Sequence, residues 1–193
     1  MTDINEKMNP KGMKATEACL SSNVEETLHT RCDPELLDLS ELLFFAYRDF
    51  TREPDKILSE IGFGRAHHRV LHFVNRHPGM RVADLLDILQ ITKQSLGRVL
   101  KQLVDDGFIC QEAGKADRRE RRLYPTPSGR DLAERLAAPQ LSRIARALKT
   151  TGAEANACIE KFLRQMISDT DAEHISQLRK TTLFPADNNR TSK

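Results

Sequence analysis

Residues 114–122 read Gly-Lys-Ala-Asp-Arg-Arg-Glu-Arg-Arg, five positive and two negative charges in nine positions. A second cluster stands upstream at Thr92, Lys93, Gln94 and Ser95, with Arg98 and Lys101 further on at helical spacing. These side chains suit one chemistry. Lysine and arginine neutralise phosphates and pair with guanine, a glutamine amide pairs bidentately with adenine, and a serine hydroxyl serves base or phosphate. Arginines at a hairpin tip fit a narrow A·T minor groove, where the negative potential is enhanced. Either cluster alone is an ordinary solvated face. The two together, if carried by a helix pair and a hairpin, point to double-stranded DNA.

The hydrophobic periods supply those carriers. Val82, Leu85, Leu86 and Leu89 fall at i, i+3, i+4 and i+7, which predicts an amphipathic helix over residues 81–90. Gln90, Ile91 and Thr92 form a three-residue turn, with Thr92 as the N-cap of a second helix over 93–106. There Leu96, Val99, Leu100, Leu103 and Val104 make the buried stripe, leaving Lys93, Gln94, Gly97, Arg98 and Lys101 on the other face. Gly107 closes that helix as a C′ glycine. Residues 108–111 and 122–126 read as strands flanking the basic loop. Helix, turn, helix, strand, basic hairpin and strand make a winged helix-turn-helix, whose second helix enters the major groove.

The flanks are predicted to be helical. One helix opens at Asp33-Pro34-Glu35 and ends near Arg52, ahead of Pro54. It is apolar on more than one face, as a helix buried on two sides in a dimer would be. Another runs over 65–76 with Val70, Leu71, Phe73 and Val74 inward, and His77-Pro78-Gly79 stops it. Thr126-Pro127 opens a long helix that Pro139 should bend, and Gly152 separates it from a last helix over 153–180. The expected fold is mainly α with a small β-hairpin wing. It has a disordered tail (1–32), a dimerisation helix (33–63), a winged lobe (64–127), dimerisation helices (128–182) and a loose tail (183–193).

Composition narrows the setting. The 193 residues are 30% charged and 39% hydrophobic without tryptophan, and no run nears the roughly 20 apolar residues that span a bilayer. The first residues carry no apolar run of the signal-peptide kind. Cys19, Cys32, Cys110 and Cys158 fit no metal-binding spacing, so a reduced, cytoplasmic setting is expected. A net charge of +2 is too small to argue nucleic-acid binding by itself, so placement of charge carries the reading.

On this footing the chain resembles the MarR-type bacterial transcription regulators. The resemblance lies in His77-Pro78-Gly79-Met80-Arg81-Val82-Ala83-Asp84-Leu85, in the run from Gly97 to Ile109, in the Asp117-Arg118-Arg119 wing signature, and in Leu123-Tyr124-Pro125-Thr126-Pro127-Ser128-Gly129. Residues 64–71 and 93–96 look most like the petP-like branch from proteobacteria. The resemblance implies a homodimer on a palindromic operator, most simply a repressor. It implies that Arg119 enters the minor groove and that Asp117 holds wing and recognition helix in register; the basic run itself adds Lys115 to the wing contacts and reads Arg118, Arg121 and Arg122 as phosphate contacts. One departure is Gly97, where the family often has serine. It also implies a small aromatic acid bound between the dimer helices and the lobe, for which Phe44, Tyr47, Arg48, His67 and His68 are the candidates.

Other constellations weigh less. His68 and His72 are four apart, but no carboxylate or cysteine completes an evident metal set. The cysteines read as small apolar fillers, with an oxidant-sensing role kept as an alternative. No nucleophile–base pair or cofactor motif appears, so an enzyme is not expected. The competing class is a protein-interaction module in which the basic wing meets an acidic partner without reading DNA sequence.

Overall fold

The computed structural model describes residues 33–114, 120–152 and 155–181, with side chains as far as residue 178. In chain order the elements are α1 (Pro34–Glu60), α2 (Arg65–Arg76), β1 (Met80–Arg81), α3 (Val82–Leu89), α4 (Lys93–Asp105), β2 (Ile109–Ala113), β3 (Arg121–Pro125), α5 (Pro127–Thr151), α6 (Ala155–Met166) and α7 (Asp169–Thr181). The strands form one antiparallel sheet in the order β1-β3-β2, with Met80 opposite Leu123 and Ile109 opposite Pro125. The mainly helical fold with a small wing is as expected. The two-residue β1 is additional, and is too short to leave a period in the sequence. Among the described residues no helix is long and apolar enough to cross a membrane.

The chain divides into two compact units between Asp49 and Phe50. In the first, residues 34–49 of α1 leave Leu36, Leu37, Leu39, Leu42, Leu43, Phe44, Phe45 and Tyr47 exposed. The second holds the core. Val70, Leu71 and Val74 of α2, Leu85 and Leu89 of α3, Leu96, Leu100 and Leu103 of α4, Ile109, Leu123, Leu132 and Leu136 pack into one cluster. The predicted stripes are therefore the buried ones, with Phe73 and Val104 half-buried at the edge.

Two helix ends are closed the same way. Phe108 N donates to Leu103 O (2.8 Å) and Gly107 N to Val104 O (3.0 Å), with Gly107 at φ 75°. Phe63 N donates to Leu58 O (2.9 Å) and Gly62 N to Ser59 O (3.3 Å), with Gly62 at φ 73°. Both are Schellman motifs, in which a left-handed glycine lets two orphan carbonyls find donors. Thr126 then caps α5, accepting from Gly129 N at 3.0 Å while its hydroxyl donates to Gly107 O at 2.7 Å.

Two expected boundaries are corrected. Helix α1 does not stop near Arg52 but continues through Pro54, which is fully buried, to Glu60. Tertiary packing of the Thr51, Pro54 and Leu58 face outweighs the lost backbone donor. The predicted last helix is two, broken after Met166. Ser168 accepts from Asp171 N at 3.2 Å and donates to the Asp171 carboxylate at 2.9 Å, so a capping pair starts α7. Helix α5 runs through Pro139 as a continuous element.

Gly129 is the tightest backbone approach. A Cβ there would lie 1.9 Å from the Phe108 carbonyl oxygen. Gly129→Ala is expected to destabilise the lobe by about 1–3 kcal/mol or more, because the obstacle is backbone and cannot swing aside. Urea denaturation of the two proteins measures this, and equal midpoints would show that the junction yields.

Candidate nucleic-acid interface

The helix pair is set by its turn. Gln90 takes the left-handed conformation (φ 51°, ψ 42°), its N–H bonding Leu86 O at 3.0 Å and its side chain Asp87 O at 2.6 Å. Arg69 of α2 reaches across to the Leu89 carbonyl at 3.2 Å, placing a cation at the negative end of α3. Thr92 caps α4 as expected, accepting from Ser95 N at 3.1 Å. Its hydroxyl also donates to Ser95 Oγ at 2.9 Å, so the two hydroxyls assigned to DNA are engaged with each other here, and the Ser95 proton remains to donate outward.

Lys93, Gln94, Gly97 and Arg98 lie exposed on α4, while Leu96, Val99 and Leu100 are buried between them. Lys101 shares that face but is paired with Asp105, which raises the Lys101 pKa through its hydrogen bond and charge. The charges of α4 run against its dipole. Its first turn holds no acid and begins with Lys93, and its last turn holds no base and ends in Asp105. Each mismatch costs a few tenths of a kcal/mol at an exposed site. An anion at the N-terminus, bound by free N–H groups and Lys93, removes the first cost.

The wing is pinned at its base by Gly114 N donating to Glu120 O at 2.9 Å. Lys115, Asp117, Arg118 and Arg119 lie outside the described residues. Arg121 is exposed. Arg122 is engaged within the fold. Its guanidinium pairs with Glu120 at 2.9 Å and donates to Gly79 O at 3.2 Å, tying the hairpin to the turn before β1. Beside it, Arg81 holds Asp84 in a two-point pair (2.6 and 3.0 Å) that opens α3. Burial raises the Asp84 pKa, but the Arg81 hydrogen bonds and the charges of Arg81 and Arg122 outweigh it and leave it lowered. The sequence signal for this brace was the Arg81–Asp84 spacing at a helix start.

The effector candidates fall in both units. In the first, Phe44 and Tyr47 are exposed, and the Arg48 guanidinium lies 4.9 Å over the Phe45 ring and 3.2 Å from Asp49. In the second, His67 caps α2. Its Nδ1 accepts from Gly64 N at 3.1 Å, so its Nε2 carries the proton and donates to Gln102 of α4 at 2.9 Å. The ring also stacks on Phe63 at 4.5 Å. His67 is thus committed to the fold, and His68 is half-buried. A cavity of about 850 Å3 lies elsewhere in the second unit, lined by Asn75, Arg76, His77, Pro78, Met80, Asp87, Ile88, Glu120, Arg122, His174 and Leu178 among others. Of the buried polar atoms in its lining, Glu120 Oε1 is the one paired with Arg122, while His174 Nδ1 has no hydrogen-bond partner among the described residues. Nothing in sequence spacing marked this cavity. Cys110 and Cys158 are exposed rather than the apolar fillers expected. Among the described residues no three side chains are grouped to hold a metal.

A capped helix pair, an exposed polar face on its second helix and a three-stranded wing define a winged helix-turn-helix protein. Comparison with known proteins carries this further. Residues 61–120 match the MarR family. The chain is 42% identical over 154 residues to the HTH-type transcriptional regulator PetP of Rhodobacter capsulatus, covering 80% of this chain and 93% of that protein. Similar solved structures include S. aureus MepR in its DNA-binding conformation (TM-score 0.57, 20% identity, 66% of this chain and 95% of that one). Another is a mutant MarR from E. coli complexed with operator DNA (TM-score 0.53, 20% identity, 69% and 96%). The chain belongs to the MarR family of transcriptional regulators.

Two outcomes follow from the interface. Lys93→Glu should leave the melting temperature unchanged or slightly raised, since it corrects the helix end, while DNA binding falls by at least tenfold; a matching loss of stability would show that Lys93 serves the fold. The second concerns pH. Partial burial lowers the pKa values of His68, His72 and His77, and neighbouring Arg76, His68 and His77 help push His72 down to about 4. The unfolded chain then binds protons that the fold rejects, so this stability is complete above about pH 6.5 and is lost as pH falls toward 4. Thermal melts between pH 7 and 5 should show the decline, and His72→Gln should flatten it.

Proposed function

We propose that the protein acts as a homodimer that binds a palindromic operator in the cytoplasm and represses transcription until a small ligand or an oxidant releases it. The observation that carries the DNA reading is the N-terminus of α4. It combines exposed Lys93, Gln94 and Arg98 with a helix end whose own charges call for an anion. In this reading Gln94 and Arg98 meet base edges, Lys93, Ser95 and Thr92 the phosphate beside the helix end, and Lys101 a phosphate after exchanging partners with Asp105. The wing adds Arg119 in the minor groove, braced by Asp117, with Lys115, Arg118 and Arg121 along the backbone.

The exposed apolar residues support the dimer. Residues 33–63 and 128–182 are its dimerisation regions and 64–127 its DNA-binding lobe. Besides the face of α1, Leu141 and Ile144 of α5 and Ile159, Phe162, Leu163 and Met166 of α6 are exposed in the single chain. Burying each such side chain fully contributes about 1.5–3 kcal/mol, and a second copy presenting the same faces is the partner that closes under two-fold symmetry. A small ligand has a seat in the cavity lined by Glu120 and His174. An oxidant has access to Cys110 and Cys158.

Selection of bound DNA from a random pool tests the whole reading. Two half-sites one helical turn apart, about 34–36 Å, are expected of a dimer. Gln94→Ala should relax preference at one base pair, at a cost of about 1–3 kcal/mol, while Arg119→Ala weakens binding to A·T-rich flanks. If both variants keep native affinity and preference, the wing instead serves a protein partner. Phe44→Glu should shift the sedimentation coefficient toward the monomer.

A further inference from the structure

Pro54 leaves a gap in the ladder of α1. Its ring nitrogen has no proton, so the carbonyl four residues earlier, that of Phe50, loses its helical donor. The side chain of Gln140 supplies one: Nε2 donates to Phe50 O at 3.3 Å. Gln140 is 9% exposed, so its amide is held for this bond rather than for solvent. Beside it, Arg143 pairs with Glu53 at 3.2 Å, one residue before the proline. The two contacts bracket the gap from α5.

A helix lacking one rung bends easily there unless something else fills the position. We propose that Gln140 is a positioning residue: it completes α1 across Pro54 and so keeps the helix from bending at the proline. This rests on the dimeric reading above, since a dimer joined through α1 would carry a bend at Pro54 into the spacing of its two α4 helices. Operator affinity then depends on an amide that touches no DNA.

The test is a double-mutant cycle in the full-length protein. Gln140→Leu removes the donor, and Pro54→Ala restores the backbone N–H that makes the donor redundant. In the native background Gln140→Leu is expected to speed amide exchange over residues 50–58 about fivefold, the weight of one hydrogen bond, and to weaken binding to the selected operator severalfold. In the Pro54→Ala background the same change should do neither. Equal effects in both backgrounds would mean that Gln140 only packs, and would overturn the proposal. Exchange coupled through Pro54 with operator affinity untouched would also overturn it, because the latch would not reach the recognition helices. A protein that binds no operator at all sinks the DNA reading instead, and the exchange cycle still decides the latch.

Discussion

The peptide carbonyl of Phe108 is where the lobe is joined. It accepts from Thr126 N at 3.1 Å and sits against the Cα of Gly129. One residue earlier, Gly107 ends the Schellman closure of α4 and receives the Thr126 hydroxyl. Helix α4, first hairpin strand, returning strand and the start of α5 therefore meet within a few peptide units. Each polar group there has a partner, and buried backbone groups without one are costly. Helix α4 and the hairpin thus share one closely bonded joint.

Around that joint the cations sort into two sets. Arg65 grips Asp55 at 2.8 Å, Arg69 caps α3, Arg81 opens α3 with Asp84, Arg122 ties the hairpin down, and Arg143 reaches α1. Each is held by a carboxylate or a carbonyl of the protein. Lys93, Arg98 and Arg121, also exposed, make no such bond among the described residues. A charge count cannot separate these sets, because partner geometry decides which guanidinium remains for phosphate.

That sorting marks the limit of what could be read from the chain. The stripes of α2, α3 and α4, the Thr92 cap, the Gly107 closure and the hairpin strands were legible because each follows from local chemistry with a short period. The bonds of Arg122 were not legible because its partners, Glu120 and Gly79, come together only through the sheet. His67 looked like part of a pocket, yet its spacing from Gly64 is that of a cap, a signal usually sought from glutamate or glutamine. The Ser168–Asp171 pair has the spacing of a helix start, but the apolar pattern runs on across it and hides the break. Helix α1 outran its proline because the donor that repairs it lies ninety residues away.

The reversed charges of α4 carry a consequence for engineering. Schemes that raise thermal tolerance place acids at helix starts and bases at helix ends, and each such change is commonly favourable. Applied here they would select Lys93 and Asp105 among the first positions to alter. The product would be a sturdier protein, and a screen that scored heat resistance alone would reward it while discarding the helix end proposed to meet DNA.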